Sequence, residues 1–402
     1  MPKPNSDCRA TERKHPWPMV RLGEVCNEIK DRIQSSKISV GEYVTTDNMV
    51  KNCGGVVLAE YVPSDIGLVE YHKGDVLIAN IRPYLKKIWL ADHDGGCSSD
   101  VVVFRSNIDG LSSEYLYSVL SQDAYFEYVM QKPRGTKMPR GDRDWMKEFR
   151  FPLPTLTEQR AIVARLEREL AAVEKMKNGF EALAETAKAE FKAELKEVFE
   201  EISCGGAETR RLGDVCELCL GKMLDKAKNK GSYKPYLRNV NVRWDGFSLD
   251  DLYEMRFEDD ETERYSLRKG DIVMCEGGEP GRCAVWKGEE NSMMIQKALH
   301  RIRPNRATDS RYLLFAFLNL SQSGYFAERF TGTTIKHLTG QVLREVLIPL
   351  PPLPAQREVV ARLEGAKAKT EKLEAKAREG VAICETMRKA ILKEAFDLGR
   401  KG

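Results

Sequence analysis

Two short segments carry the residue types that grip a phosphate. Lys132-Pro133-Arg134-Gly135-Thr136-Lys137-Met138-Pro139-Arg140-Gly141-Asp142-Arg143 and Thr331-Gly332-Thr333-Thr334-Ile335-Lys336-His337-Leu338-Thr339 both mix glycine, hydroxyls and cations. Free backbone N–H groups, threonine hydroxyls and a lysine at a helix start can converge on one phosphate oxygen. The same residues also suit an N-capped helix with an exposed lysine, and that reading stays open. Three further stretches hold donors for base edges: Arg82, Tyr84, Lys86 and Lys87; Arg238, Asn239, Asn241 and Arg243; and Arg282 with Gln296 and Lys297. Arginine and lysine match guanine in the major groove, and asparagine and glutamine match adenine. Taken singly, each is an ordinary surface or turn residue. The constellation, rather than any member, points to nucleic acid.

Catalytic signatures are missing from the sequence. Gly221-Lys222 lacks the earlier glycine of a P-loop, because Cys216 stands there. No G-x-G-x-x-G follows an apolar run, no H-E-x-x-H exists, and the Asn-Pro-Pro-aromatic segment of amino-methylating enzymes is absent. Cys216-x-x-Cys219 is the one C-x-x-C, while His15, His72, His93, His300 and His337 are dispersed, so zinc is not expected. No metal or cofactor is expected on this chain. Lys plus Arg number 64 against 61 Asp plus Glu, a formal charge of +3, so any basic surface must be local. The ten cysteines are scattered, the first residues are polar and proline-broken, and no run reaches the roughly 18 apolar residues that cross a bilayer. A reducing cytoplasm and no membrane are the expectation.

The elements that position these segments come in two copies. Phe151-Pro152-Leu153-Pro154 followed by Gln159-Arg160 recurs as Ile348-Pro349-Leu350-Pro351 followed by Gln356-Arg357, and Tyr115, Gly135 and Gln159 meet Tyr312, Gly332 and Gln356 at one offset of 197 residues. Near the start the offset is 190, from Gly23 to Gly213, so length changes fall early, where Ser35 to Val62 and Leu224 to Asp260 look least alike. A shared scaffold with dissimilar loops is what recognition modules require. Lys73-Gly74-Asp75 and Lys269-Gly270-Asp271 each precede an apolar, β-branched run, which predicts a buried strand.

After each proline clamp the pattern is helical. Ile162, Leu166, Leu170, Val173, Phe180, Leu183, Ala187, Phe191, Leu195 and Val198 form one narrow stripe; Val360, Leu363, Leu373, Ala377, Val381, Cys384, Met387 and Ile391 form another. Such stripes suit a coiled-coil seam in which each helix covers the other. Gly179, Gly365 and Gly380 interrupt them, as sites of close contact or of bending.

With the repeat, the clamps and Gly332-Thr333-Thr334-Ile335-Lys336-His337-Leu338-Thr339 in hand, the chain resembles the specificity subunit of type I restriction-modification systems from about Val20 to about Leu398. Glu158-Gln159 keeps the Glu-Gln common in that family, whereas Ala355-Gln356 loses the carboxylate. The resemblance implies an α+β chain: two repeated α/β target recognition domains separated by two long antiparallel helices forming a coiled coil. Expected boundaries are 15–155 and 205–352 for the domains, and 156–204 and 353–400 for the helices. It further implies a non-catalytic reader of double-stranded DNA, each domain taking half of a split, asymmetric site. Two methyltransferase subunits carrying S-adenosylmethionine would modify adenine N6, and restriction subunits using ATP and Mg can join them. A non-catalytic coiled-coil scaffold without DNA readout is the alternative.

Overall fold

A computed structural model describes residues 17–223, 225, 229–329 and 337–397. The chain divides into two compact units, Met1–Phe180 with Glu379–Gly402, and Glu181–Arg378.

In the first unit a four-stranded antiparallel sheet runs Cys26–Glu28, Val101–Ser106, Val76–Ala79, Ile88–Leu90. Val76, Ile78, Val102 and Phe104 pack under Tyr115, Leu116 and Val119 of the helix Ser113–Leu120. Leu77, Ala79, Val101 and Val103 fill a second core on the opposite face. Burial on both faces explains why the central strand reads as an unbroken apolar run rather than an alternation. The second unit repeats this order with Cys216–Leu220, Leu299–Pro304, Ile272–Cys275 and Cys283–Val285. The lysine-glycine-aspartate turns anchor both sheets. Gly74 at φ +91° and Gly270 at φ +93° turn the chain where a side chain would be strained. The buried Asp75 and Asp271 then take two hydrogen bonds each from Arg105 and Arg303, at 2.7 Å and 2.8 Å.

The dissimilar early stretches build different sheets. In the first unit Arg32–Gln34, Gly67–Tyr71, Gly95–Cys97 and Tyr43–Val44 form four strands; in the second, Tyr253–Phe257, Ser232–Leu237 and Met294–Ile295 form three, beside the hairpin Val242–Arg243 and Gly246–Phe247.

The clamp glutamines lock domain to helix. Gln159, fully buried, accepts from the N–H of Ser112 at 2.9 Å and donates to the carbonyls of Gly110 at 2.7 Å and Pro154 at 2.8 Å. Gln356 repeats this with Asp309, Ala307 and Pro351 at 2.8, 3.0 and 2.8 Å. Tyr115 donates to Pro152 O at 2.8 Å and Tyr312 to Pro349 O at 2.5 Å.

The long helices are Leu156–Cys204 and Leu353–Asp397. In the first unit Ile162 and Leu166 share a core with Ala395 and Phe396, and Phe180 lies on Gly380. In the second, Thr370 donates to Ala187 O at 3.3 Å, and Arg362 pairs with Glu194 at 2.6 Å and Glu201 at 2.8 Å. Within each unit the two segments therefore run antiparallel. The stripe needs two corrections. Leu183 and Met387, placed in the seam by periodicity, are 37% and 40% exposed. And the seam is not isolated from the domains: Leu195, Val198 and Leu363 belong to the same core as Leu212 and Ile348, because each domain uses a helix end as one of its walls.

The glycines divide. A Cβ on Gly380 would lie 2.5 Å from the Phe180 ring, whereas Gly179 and Gly365 have nothing within 4 Å. Gly179→Ala and Gly365→Ala are each expected to stabilise the chain by about 1 kcal/mol through helix propensity, while Gly380→Ala destabilises it by displacing the ring. Urea unfolding midpoints of the three variants check the contrast.

Candidate nucleic-acid interface

In the first unit the loops bearing the candidate residues meet at one end of the sheet. The segment around Gly135 is a loop closed by reciprocal main-chain bonds between Arg134 and Arg140, both 2.8 Å, with Gly135 at φ +84° and Thr136 and Lys137 exposed at its tip. The helix lies further on, at Arg143–Lys147, capped by Asp142, whose carboxylate accepts from the N–H groups of Asp144 and Trp145. The expectation that Thr136-Lys137 stands at a helix start is thus corrected: Asp142, the stronger cap, takes that place. Arg82 N donates to Pro139 O at 2.7 Å and Ile81 bridges to Arg140, which brings the Arg82 to Lys87 segment against this loop. Arg82 is exposed in a left-handed conformation at φ 50°, and Tyr84 is 49% exposed. The two lysines are engaged inward. Lys86 pairs with Asp123 at 2.6 Å, and Lys87 donates to Thr46 O at 2.5 Å, where burial pulls its pKa down. Arg134 pairs with Asp142 at 2.7 Å and Arg140 with Asp100 at 3.2 Å.

Arg143, which closes the basic segment read from the sequence, and Lys147, which the sequence did not single out, also face this end. Both pair with Glu28, at 2.9 and 2.8 Å. Burial pushes the Glu28 carboxyl up, but Lys147 and Arg143 outweigh it and hold it below the usual carboxylate range.

In the second unit Arg282 donates to Asn239 O at 2.9 Å and Gln296 N to Leu237 O at 3.3 Å, so those stretches also converge. Arg238 is stacked on Tyr253 at 3.7 Å and paired with Asp251 at 2.7 Å, and Arg282 pairs with Glu279. Asn241 is buried, accepting from Arg238 N at 2.9 Å and donating to Ser248 O at 3.0 Å and Asp251 O at 3.1 Å, so its amide shapes the loop. Arg243 and Lys297 are exposed, with Arg243 donating to Val240 O at 2.7 Å. Gly332, Thr333, Thr334 and Lys336 lie outside the described residues; His337 is half-buried beside them.

His300, on the strand Leu299–Pro304, hydrogen-bonds through Nε2 to Leu338 O at 2.8 Å and is buried. Burial pulls its pKa down from 6.5 and the Leu338 carbonyl raises it in part. As pH falls through about 6.5 the unfolded chain takes up a proton that the folded chain resists, so stability drops on the acid side. Unfolding midpoints between about pH 7.5 and 5 are expected to fall more steeply for the native chain than for His300→Gln.

Among the described residues no group of three or more His, Cys, Asp or Glu could hold a metal ion, and no helix is long and apolar enough to cross a membrane. The family model described as "Type I restriction modification DNA specificity domain" matches residues 14–179 and again 205–381. The EcoDI specificity subunit of Escherichia coli is 30% identical over 102 residues, 25% of this chain and 22% of that protein. The EcoKI specificity subunit of Escherichia coli strain K12 is 23% identical over 272 residues, 61% of this chain and 56% of that protein. The chain thus spans less than two thirds of either relative. Among solved structures, a chain from work on complex assembly and conformational transition of the type I R-M system aligns with TM-score 0.78 and 26% identity, covering 94% of this chain and 97% of that one. The HsdS subunit of Thermoanaerobacter tengcongensis aligns with TM-score 0.59 and 26% identity, over 96% and 98% of the two chains. A family match to both repeats, joined to likeness along nearly the whole of an HsdS subunit, means that this chain belongs to the type I restriction-modification DNA specificity family.

Proposed function

We propose that the chain is the non-catalytic, sequence-specific DNA-binding subunit of a type I restriction-modification complex. Each unit reads one half of a split, asymmetric duplex site. The observation that carries this reading is the repeat itself: one sheet order and one glutamine lock recur, while the loops at the candidate end differ in both fold and polar residues. A scaffold without DNA readout would need the lock and the paired helices but not the cationic loops. Arg82, Tyr84, Arg134, Gly135, Thr136, Lys137, Arg140, Arg243 and Lys297 are the groups proposed to face DNA, together with the Gly332 to His337 segment.

Two methyltransferase subunits, carrying S-adenosylmethionine, assemble on the chain in the cytoplasm, and restriction subunits using ATP and Mg join the same complex. Adenine in a duplex must leave the stack to be methylated, which partners held around a bound reader accomplish. The test is to map methylated adenine in a host with and without this chain. A split motif whose methylation depends on the chain supports the proposal; identical maps would refute it.

A further inference from the structure

In the four-stranded sheet that the two units share, the same inner strand is followed by a polar residue close to the candidate loops. In the first unit this is Asn80, after Val76–Ala79; in the second it is Glu276, after Ile272–Cys275. The main chain holds both in the same way. Asn80 N donates to Asp100 O at 2.8 Å and its carbonyl accepts from Gly141 N at 3.0 Å; Glu276 N donates to Ala298 O at 2.9 Å and its carbonyl accepts from Leu338 N at 2.9 Å. Gly141 and Leu338 stand 197 residues apart, the offset of the shared frame. These bonds involve only backbone, so they leave the side chain at this position free to differ.

Neither side chain is spent on the fold. Asn80 is 7% exposed, and its Oδ1 is buried without a hydrogen-bond partner. It lines a polar cleft of about 510 Å³ in which Arg134, Arg140, Arg143 and Lys147 stand beside their partners Asp142, Asp100 and Glu28. The absent side chain of Gly141 leaves room beside the amide, since a Cβ there would lie 2.8 Å from Oδ1. A buried acceptor without a donor is costly to keep, and costly groups persist where a ligand completes them. Glu276 is half-buried; burial pushes its carboxyl up, while His337 and Lys297 pull it back. Among the described residues no donor is hydrogen-bonded to that carboxylate.

We propose that Asn80 and Glu276 are equivalent base-reading positions of the two units, Asn80 selecting adenine and Glu276 selecting cytosine. An asparagine amide accepts from adenine N6 and donates to N7. A carboxylate only accepts, so it takes the N4 amine of cytosine and repels the acceptor edges of guanine and of thymine O4. One frame position with two chemistries gives a single scaffold two unlike half-sites. The assignment rests on the reading that both units bind duplex DNA.

The test uses isosteric variants, Asn80→Asp and Glu276→Gln, in the full chain co-purified with its partner subunits, and selects binders from duplexes randomised across the motif. Asn80→Asp is expected to move one position of one half-site from adenine toward cytosine, and Glu276→Gln one position of the other half-site from cytosine toward adenine. Affinity for the original site should fall about 5- to 150-fold in each case. Asn80→Ser is a second variant, smaller at the same place, which must also lose the adenine preference while keeping the native unfolding midpoint. Unchanged base preferences in variants that still bind DNA would overturn the assignment alone. A native complex that binds no duplex in a salt-dependent way would remove the DNA-reading proposal and this assignment with it.

Discussion

Gln356→Ala is expected to destabilise the second unit by about 3–5 kcal/mol, since a buried polar group stripped of its partner costs about 1–3 kcal/mol. The substitution strips three: the N–H of Asp309 and the carbonyls of Ala307 and Pro351. Gln356 is 0% exposed, so water does not replace it without opening the joint. Amide hydrogen exchange should show the loss concentrated in residues of the second unit, with Gln159→Ala doing the same to the first. Gln356→Glu provides a sign test. Its carboxylate would face two carbonyl oxygens, which raises its pKa in the folded state above the ordinary carboxylate value. The folded state then binds the proton better than the unfolded one, so this variant recovers stability, relative to the native chain, as pH falls toward that range. A variant insensitive to pH would mean that the side chain is not held in the lock.

Replacing Lys137 and Lys336 together with alanine is expected to weaken duplex binding about 10- to 100-fold near physiological salt, and to reduce the slope of log affinity against log salt by about two. Lys137 sits exposed on the loop closed by Arg134 and Arg140 and is proposed as a phosphate contact. Loss of a phosphate contact therefore lowers affinity for matched and mismatched sites alike. Titrations of both duplexes over a range of salt separate this outcome from a change of specificity. An unaltered slope would remove these lysines from the phosphate backbone.

The frame was legible because it is written in covalent regularities. Proline clamps, a glycine forced to positive φ before Asp75 and Asp271, and an apolar run buried on both faces leave marks that one sequence shows twice. Pairing of the two helices followed from the stripes and its antiparallel sense from the family resemblance, yet Leu183 and Met387, placed in the seam by spacing, are exposed. The candidate interface was legible only as a neighbourhood. Asn241 has the right chemistry for a base edge, but its amide closes its own loop; Lys86 and Lys87 are held by Asp123 and Thr46. Whether the two lysines face outward depends on contacts 37 and 41 residues distant in sequence, to Asp123 and Thr46. Asn80 and Glu276 were passed over since each follows an apolar strand as a lone polar residue. Their shared place becomes visible once the two sheets are compared strand by strand.

The glutamine lock has a consequence for inheritance. Every bond made by the side-chain amides of Gln159 and Gln356, and by the hydroxyls of Tyr115 and Tyr312 beside them, ends on a main-chain N–H or carbonyl. A joint of that kind is indifferent to the side chains of the domain it closes. Genetic exchange with a breakpoint at either clamp would therefore carry the lock over intact, while the incoming domain would still have to match the wall residues that the helix supplies, such as Leu195, Val198 and Leu363.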